Sequence, residues 1–76
     1  MEEQLTFGQK AVGLRFNPSG DDEITKCKQE FADAIDRMND FRKSKGHCEA
    51  SRLASVAITE LQGAQMWAVK ALTWKD

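Results

Sequence analysis

Read as a helix, the C-terminal third of the chain is apolar around almost its whole circumference. From Glu49 to Trp74 it contains no proline, and Gly63 is its one glycine. Apolar residues, most of them small, recur at alternating steps of three and four along one seam: Ala54, Ala57, Leu61, Ala64, Ala68 and Ala71. Trp67 and Trp74 fall outside this seam. Such a helix must be covered on more than one side, which a single partner helix cannot do.

The segment before it has the pattern of an amphipathic helix. Asp21, Asp22 and Glu23 suit the positive end of a helix dipole, with Ser19 or Asp21 as the N-cap. Apolar residues then recur at helical spacing: Ile24, Cys27, Phe31, Ala34, Met38 and Phe41, with Ile35 widening the stripe. Because Ser44-Lys45-Gly46-His47 predicts a short break, the two helices are expected to form an αα-hairpin.

The N-terminal residues carry a weaker signal. The stretch from Glu3 to Leu14 suits a short helix, which its glycines weaken, and Asn17-Pro18-Ser19-Gly20 predicts a β-turn. The predicted fold is all-α, with one helical-hairpin domain over residues 1–76. It consists of an N-terminal helix and arm over about 1–20, a second helix over about 21–44 and a third over about 49–75. We expect homo-oligomerisation to complete it, because the hairpin alone leaves Trp67 and Trp74 facing water. The alternative is a three-helix monomer in which the arm folds over.

Composition argues against several classes of protein. The formal charge is −1, from 11 basic and 12 acidic residues, so DNA is not an expected partner. No apolar run approaches the ~20 residues of a membrane span, and the polar start is unlike a signal peptide, so we expect a cytoplasmic protein. Two cysteines and one histidine argue against a structural metal site. Cys27 and Cys48 lie about 25 Å apart along the predicted hairpin, too far for a disulfide within one chain.

The sequence contains no recognisable catalytic motif. A Ser-His-Asp order, a metalloprotease helix motif and a phosphate-binding glycine loop are all missing. His47 stands in the predicted turn. Glu60 has mostly apolar neighbours and is better suited to an ion pair across an interface than to proton transfer. We therefore interpret the chain as a binding protein that needs no cofactor, not as an enzyme.

One candidate binding group lies on the third helix. Arg52, Ser55, Thr59 and Gln62 form a narrow polar stripe on an otherwise apolar surface. Copies of this stripe around a symmetry axis would present guanidinium and hydroxyl donors to a compact anion with several phosphates. The alternative is structural, with Arg52 in solvent and the hydroxyls bonded to backbone carbonyls.

The other candidate group precedes the hairpin. Phe16-Asn17-Pro18 presents an aromatic face, an amide and a rigid turn, and Lys26 and Lys28 follow on the next helix. An aromatic ring and a lysine together can stack a base and neutralise a phosphate. The alternative is that Phe16 covers apolar surface and that both lysines are solvated.

Two stretches resemble a known family: Phe16-Asn17-Pro18-Ser19-Gly20, and the block SVAITELQGAQMWAVKALTW from Ser55 to Trp74. The pattern Ile24…Lys28…Ile35-Asp36 and Arg52 add to them. Together they resemble the small tailed-phage proteins that act as anti-CBASS cyclic-oligonucleotide sponges, from about Val12 to Asp76. That family shares its helical-hairpin domain with sponges directed against Thoeris defence, so the hairpin alone does not identify the ligand.

The resemblance implies hexamers of hairpins that bind bacterial second messengers without cleaving them, in the cytoplasm of the infected bacterial host. It implies that cyclic dinucleotides such as 3′,3′-cGAMP bind between pairs of chains, and that cyclic trinucleotides bind at separate pockets on a threefold axis. The residues that it assigns to the dinucleotide pocket are Phe16, Asn17, Pro18, Lys26 and Lys28. Those that it assigns to the trinucleotide pocket are Arg52, Ser55 and Thr59. The competing interpretation is a hairpin module that docks a protein and has no nucleotide ligand.

Overall fold

The structure, a computed structural model, describes residues 4–17 and 20–76. This part of the chain forms three helices and no strand: α1 (Phe7–Ala11), α2 (Asp22–Lys45) and α3 (Glu49–Thr73). The predicted all-α fold, with a short N-terminal helix before a long hairpin, is confirmed. Pro18 and Ser19, the central residues of the predicted β-turn, lie outside the described residues. On either side of them, the Gly20 backbone N–H donates to the Asn17 carbonyl at 3.0 Å.

The helix ends follow from local chemistry. A capping box starts α1: the Thr6 hydroxyl accepts from the Gln9 N–H, and the Gln9 side chain accepts from the Thr6 N–H. Asp21 caps α2, since its carboxylate accepts from the Glu23 N–H at 2.9 Å. At the other end of α2, Gly46 has a φ of 72°, which favours glycine and ends the helix. The chain then turns at once into α3, which produces the hairpin.

A small buried cluster holds the three helices together. Val12, just after α1, meets Ala32 and Ile35 of α2 and Ile58 of α3. The helix α1 comes very close to α2 at Gly8, where an added Cβ would lie 2.2 Å from the Ala32 carbonyl oxygen. Gly8 N–H also donates to the Asp36 carboxylate at 2.7 Å. The glycine that weakens α1 as a helix is therefore what lets α1 dock.

The buried line of α2 differs from the apolar stripe that the sequence predicted. The most buried residues of α2 are Ile24, Lys28, Ala32, Ile35 and Asn39. Ile24 and Ile35 belong to the predicted stripe. Lys28, Ala32 and Asn39 each lie one residue after a member of it, which is a rotation of about 100° around the helix. The reason is that α1 packs over α2 beside Ala32 and encloses a line that includes two polar residues. The other members of the predicted stripe, Cys27, Phe31, Ala34, Met38 and Phe41, are left half-buried or exposed.

Much of the apolar surface of α3 stays uncovered in the single chain. Trp67 and Trp74 are 70% and 65% exposed, although α1 does pack on the hairpin. A shallow groove of about 810 Å³ runs between the long helices, lined by Asp33, Ala34, Arg37, Met38, Ala57, Glu60, Leu61 and Ala64. All of the lining residues of α3 except Glu60 belong to its alanine-rich seam. None of the helices in the described residues is long and apolar enough to cross a membrane.

Candidate functional site: two cation-bearing ends of the hairpin

Lys28 is buried, only 5% exposed, near the start of α2. Its ammonium donates to the carbonyl oxygen of Gly13 at 3.0 Å and to that of Phe16. These carbonyls belong to the segment between α1 and α2, and the Gly13 carbonyl also accepts from the Phe16 N–H at 2.9 Å. Burying a charged group is costly unless it is hydrogen-bonded, and the two carbonyls meet that need. Lys28 therefore ties the segment that carries Phe16 down onto α2.

The Phe16 ring lies above this ammonium and faces outward. It is 74% exposed, and its centroid is 5.6 Å from Lys28 Nζ, within the range of a cation–π interaction. Asn17 is held from below: its side-chain N–H groups donate to the Asp21 carbonyl and to the Thr25 hydroxyl, each at 2.9 Å. The result is a fixed, exposed aromatic face backed by a positive charge.

Of the residues predicted for the dinucleotide pocket, the structure brings Phe16, Asn17 and Lys28 together. Lys26 is exposed on α2. Because it lies two residues from Lys28, it points about 200° away from it around the helix. Pro18 lies outside the described residues. The expectation that both lysines are solvated, raised as the structural alternative, does not apply to Lys28.

The second predicted group lies at the start of α3, where Arg52 is paired with Glu49. Arg52 Nε and Nη2 donate to the two carboxylate oxygens at 2.8 and 2.6 Å. Both side chains are mostly exposed, so solvent screens the pair. Hydrogen bonding from Arg52 lowers the pKa of Glu49, and hydrogen bonding to Glu49 raises the pKa of Arg52. In the single chain the guanidinium charge is thus largely compensated.

The hydroxyls of this group are also engaged. Ser55 Oγ donates to the Ser51 carbonyl at 3.1 Å, and Thr59 Oγ1 donates to the Ser55 carbonyl at 3.3 Å. A carbonyl can only accept, so each hydroxyl hydrogen is used within the helix. Arg52, Ser55 and Thr59 do follow one another along α3 at helical spacing, as the sequence predicted.

The sequence analysis missed Arg42, which lies beside this group. Its Nε donates to the buried Asn39 amide oxygen at 3.0 Å, and its Nη1 donates to Ser55 Oγ at 3.0 Å. Its guanidinium also lies 5.3 Å from the centre of the Phe7 ring of α1. Arg42 therefore contacts all three helices. Its sequence position, in a basic run at the end of α2, gave no sign of this.

The two groups lie toward opposite ends of the hairpin. Ser55 contacts Arg42, and Arg42 follows Lys28 by 14 residues on α2. At about 1.5 Å per residue, this places roughly 21 Å between the Lys28 and Arg42 positions along the helix. No single small ligand bound to one chain would span both groups.

The cysteines also differ between the ends. Both thiols are free, with Cys27 half-buried and Cys48 exposed. Burial, followed by the charges of Glu30 and Glu23, raises the pKa of the Cys27 thiol. Hydrogen bonds from the Ser51 backbone and hydroxyl lower the pKa of Cys48, and the charge of Lys45 adds to this.

The remaining residues that the sequence singled out are not gathered into a site. His47 is exposed in the turn after α2, and Glu60 lies on the rim of the groove between α2 and α3. Across residues 4–17 and 20–76, no three His, Cys, Asp or Glu side chains are grouped so that they could hold a metal ion. The pairing of Glu60 across an interface stays a prediction.

A long helical hairpin with an exposed aromatic ring and held cations at its ends is a small binding domain, and the comparisons with known proteins identify its family. Residues 9–73 of the 76-residue chain match the family described as Acb2/Tad1, hairpin domain. The chain therefore belongs to the Acb2/Tad1 hairpin family, which is the family of anti-CBASS and anti-Thoeris sponges. This confirms the resemblance in the sequence. Comparisons with curated proteins and with solved structures gave no significant match.

Proposed function

We propose that this protein binds cyclic di- and trinucleotide second messengers of bacterial CBASS defence and sequesters them uncleaved, in the cytoplasm of an infected host. Membership of the Acb2/Tad1 family carries the proposal, because that family consists of sponges that bind nucleotides rather than enzymes. The mechanism is mass action: a dissociation constant near 1 nM, about −12 kcal/mol, would keep messenger from the host effector. No residue has to perform chemistry.

For cyclic dinucleotides such as 3′,3′-cGAMP, we propose the surface around Phe16. Its ring is exposed and held in place from below, so that a base can stack on it without ordering a loose side chain. Two donors of the Lys28 ammonium are used by carbonyls, and its remaining donor is available in principle to a phosphate oxygen. Asn17, Pro18 and Lys26 complete the proposed pocket, with Lys26 reaching it from a neighbouring chain.

For cyclic trinucleotides, we propose the stripe of Arg52, Ser55 and Thr59, with copies from several chains meeting on a threefold axis. The proposed assembly is a hexamer. The apolar groove between α2 and α3 and the exposed tryptophans support association, since patches of this kind usually mark an association surface. Light scattering at micromolar protein is expected to give several times the chain mass of 8.5 kDa. A stable monomer would refute the assembly.

The test of the function is calorimetric titration with a panel of cyclic di- and trinucleotides. The sharpest variant is Phe16→Ala, because it removes the ring and keeps the backbone carbonyl to which Lys28 donates. We expect it to lose about 1–3 kcal/mol per stacked base with dinucleotides. Phe16→Tyr, which keeps the stacking face, should bind as the native protein does.

A second control uses the chain's other lysine–phenylalanine contact. Lys45 lies 5.6 Å from the Phe41 ring, the same distance as Lys28 from Phe16. Lys45→Ala should leave dinucleotide binding unchanged. After denaturation, chromatography should recover each ligand intact; a cleaved product would contradict sequestration. No heat across the whole panel would overturn the proposal and favour a hairpin that docks a protein through its open groove.

A further inference from the structure

The cation that meets an anionic ligand beside Ser55 need not be the one that the sequence suggests. Arg52 already donates from Nε and Nη2 to the carboxylate of Glu49. The hydrogens of Ser55 and Thr59 go to helix carbonyls. Arg52 keeps further N–H donors, but Glu49 compensates its charge, and the two hydroxyls have no hydrogen left for a phosphate.

Arg42 has the properties that the predicted group lacks. It is half-buried, and within the described part of the chain no carboxylate pairs with it. Half-buried charges are normally paired, so an unpaired guanidinium attracts an anion. Two of its N–H groups bond to neutral oxygens, those of Asn39 and Ser55, and a guanidinium carries further donors beyond these.

The Arg42 side chain is also held in advance. Asn39 fixes its Nε, Ser55 fixes its Nη1, and the Phe7 ring lies against its face at 5.3 Å. A phosphate that binds such a group pays little to order the side chain, and planar guanidinium groups suit phosphate oxygens. Arg42 Nη1 is 3.0 Å from Ser55 Oγ, so any ligand that reaches Ser55 also comes close to this cation.

We propose that Arg42 is a ligand-binding residue of the site at this end of the hairpin and supplies the uncompensated positive charge that meets a phosphate of the cyclic trinucleotide. This inference rests on the proposed function, since it concerns how that same site holds its ligand. In this arrangement Ser55 and Thr59 serve as acceptors, toward donor groups of the ligand such as ribose hydroxyls or base N–H groups. Arg52 contacts the ligand either while it stays paired with Glu49 or after the ligand has displaced the Glu49 carboxylate.

The test is titration of Arg42→Gln with cyclic triadenylate at several salt concentrations, with 3′,3′-cGAMP as the second ligand. We expect cyclic triadenylate affinity to fall about 10- to 100-fold, as for the loss of a hydrogen bond between charged groups. The dependence of affinity on salt should also become weaker, because one ionic contact is gone. Affinity for 3′,3′-cGAMP should not change.

Lys43→Gln is the matched control. It removes the same charge from the next residue of α2, where the side chain is exposed, and it should alter neither affinity nor salt dependence. A merely structural role of Arg42 would weaken binding and leave the salt dependence as it is. That result, or unchanged affinity in a folded Arg42→Gln protein of native assembly, would overturn the inference.

If the Arg42→Gln variant fails to fold, the same titrations are made with Arg42→Lys. Lysine keeps the charge and loses the planar fork, so weaker cyclic triadenylate binding at native thermal stability, native assembly and native 3′,3′-cGAMP affinity supports the inference. Native cyclic triadenylate affinity, or a loss that comes with lower stability or weaker 3′,3′-cGAMP binding, overturns it. Failure of the inference alone differs from failure of the proposed function. In the first case the native protein binds cyclic triadenylate and the Arg42 variants bind it equally well. In the second case the native protein does not bind cyclic triadenylate, and both the inference and the proposed trinucleotide function are refuted.

Discussion

Each end of the hairpin has a cation lying against a phenylalanine ring, and the two pairs are built differently. Lys28 lies 5.6 Å from Phe16, and Arg42 lies 5.3 Å from Phe7. Both pairs tie the N-terminal segment to the long helices. Lys28 does so through hydrogen bonds to backbone carbonyls and is almost completely buried. Arg42 does so only through the Phe7 ring, because its hydrogen bonds go to side-chain oxygens of α2 and α3, and it is half-buried.

This difference separates a cation that acts mainly on the fold from one that keeps more of its donors for a ligand. The Lys28 ammonium supplies hydrogen bonds to two carbonyls of the segment between α1 and α2, so its main effect is on the fold. What that end offers outward is the Phe16 ring. At the other end, Arg42 keeps donors beyond those that hold it, so the cation itself is available. The binding experiments above and the four predictions below probe this contrast.

The largest expected effect is on stability at the Lys28 end. Lys28→Met keeps the apolar stem, leaves the Phe16 carbonyl without its donor and removes one of the two donors of the Gly13 carbonyl. The free energy of unfolding should therefore fall by about 3 kcal/mol. Lys26→Met, an exposed neighbour, should change it by less than about 0.5 kcal/mol. Urea denaturation at fixed protein concentration measures both. Equal effects of the two substitutions would contradict the structural role of Lys28.

The docking of α1 underlies both pairs, and Gly8→Ala should disturb it. The new methyl group would collide with the Ala32 backbone, which cannot move aside, at a cost of about 1–3 kcal/mol. Amide hydrogen exchange should show α1 opening while α3 stays protected. Gly63→Ala is the control, because nothing lies within 4 Å of the added Cβ there. It should stabilise α3 by about 0.5–1 kcal/mol; a comparable loss in both variants would refute the close approach at Gly8.

The cysteines give a chemical readout of the two ends. Cys48, exposed and with a lowered thiol pKa, should react with iodoacetamide about tenfold faster than Cys27 near neutral pH. Mass spectrometry of the alkylated peptides measures the two rates. Ser51→Ala removes the hydroxyl hydrogen bond and should slow Cys48 only. If Cys27 reacted first, the half-buried position of that residue would be wrong.

The smallest effect concerns the exposed pair of Glu49 and Arg52. The pKa of Glu49 is lower in the folded state than in the unfolded state. The stabilisation that the pair gives to the folded state is therefore present above the unfolded-state pKa and is lost as the pH falls through the folded-state pKa. Glu49→Gln should therefore melt slightly below the native protein at about pH 7 and together with it at about pH 2. Arg52→Gln should remove the same pH dependence. A difference that persists at low pH would mean that the pair is not its source.

The sequence predicted many of the residues of the candidate site, but less of how they are arranged in space. Phe16, Asn17 and Lys28 were named from the sequence, and the structure brings them together. The sequence did not show that Lys28 is buried and engaged by carbonyls, because that depends on where the segment after α1 returns onto α2. Lys26 was grouped with Lys28 by proximity in sequence, but helix geometry directs the two side chains to different sides. Arg42 was missed because its contacts come from three helices.

What the sequence by itself determined is everything that depends on neighbours along the chain. Asp21 as a cap, Gly46 as a break and the spacing of apolar residues act within a few positions, so the helices and their hairpin could be read directly. Tertiary structure alone decided which line of α2 is enclosed. Periodicity defines a broad apolar arc, and the docking of α1 through Gly8 selects the line one residue farther on, with Lys28 and Asn39 in it. Those polar residues are tolerated there because each finds its hydrogen-bond partner on a segment distant along the chain or on the next turn of α2.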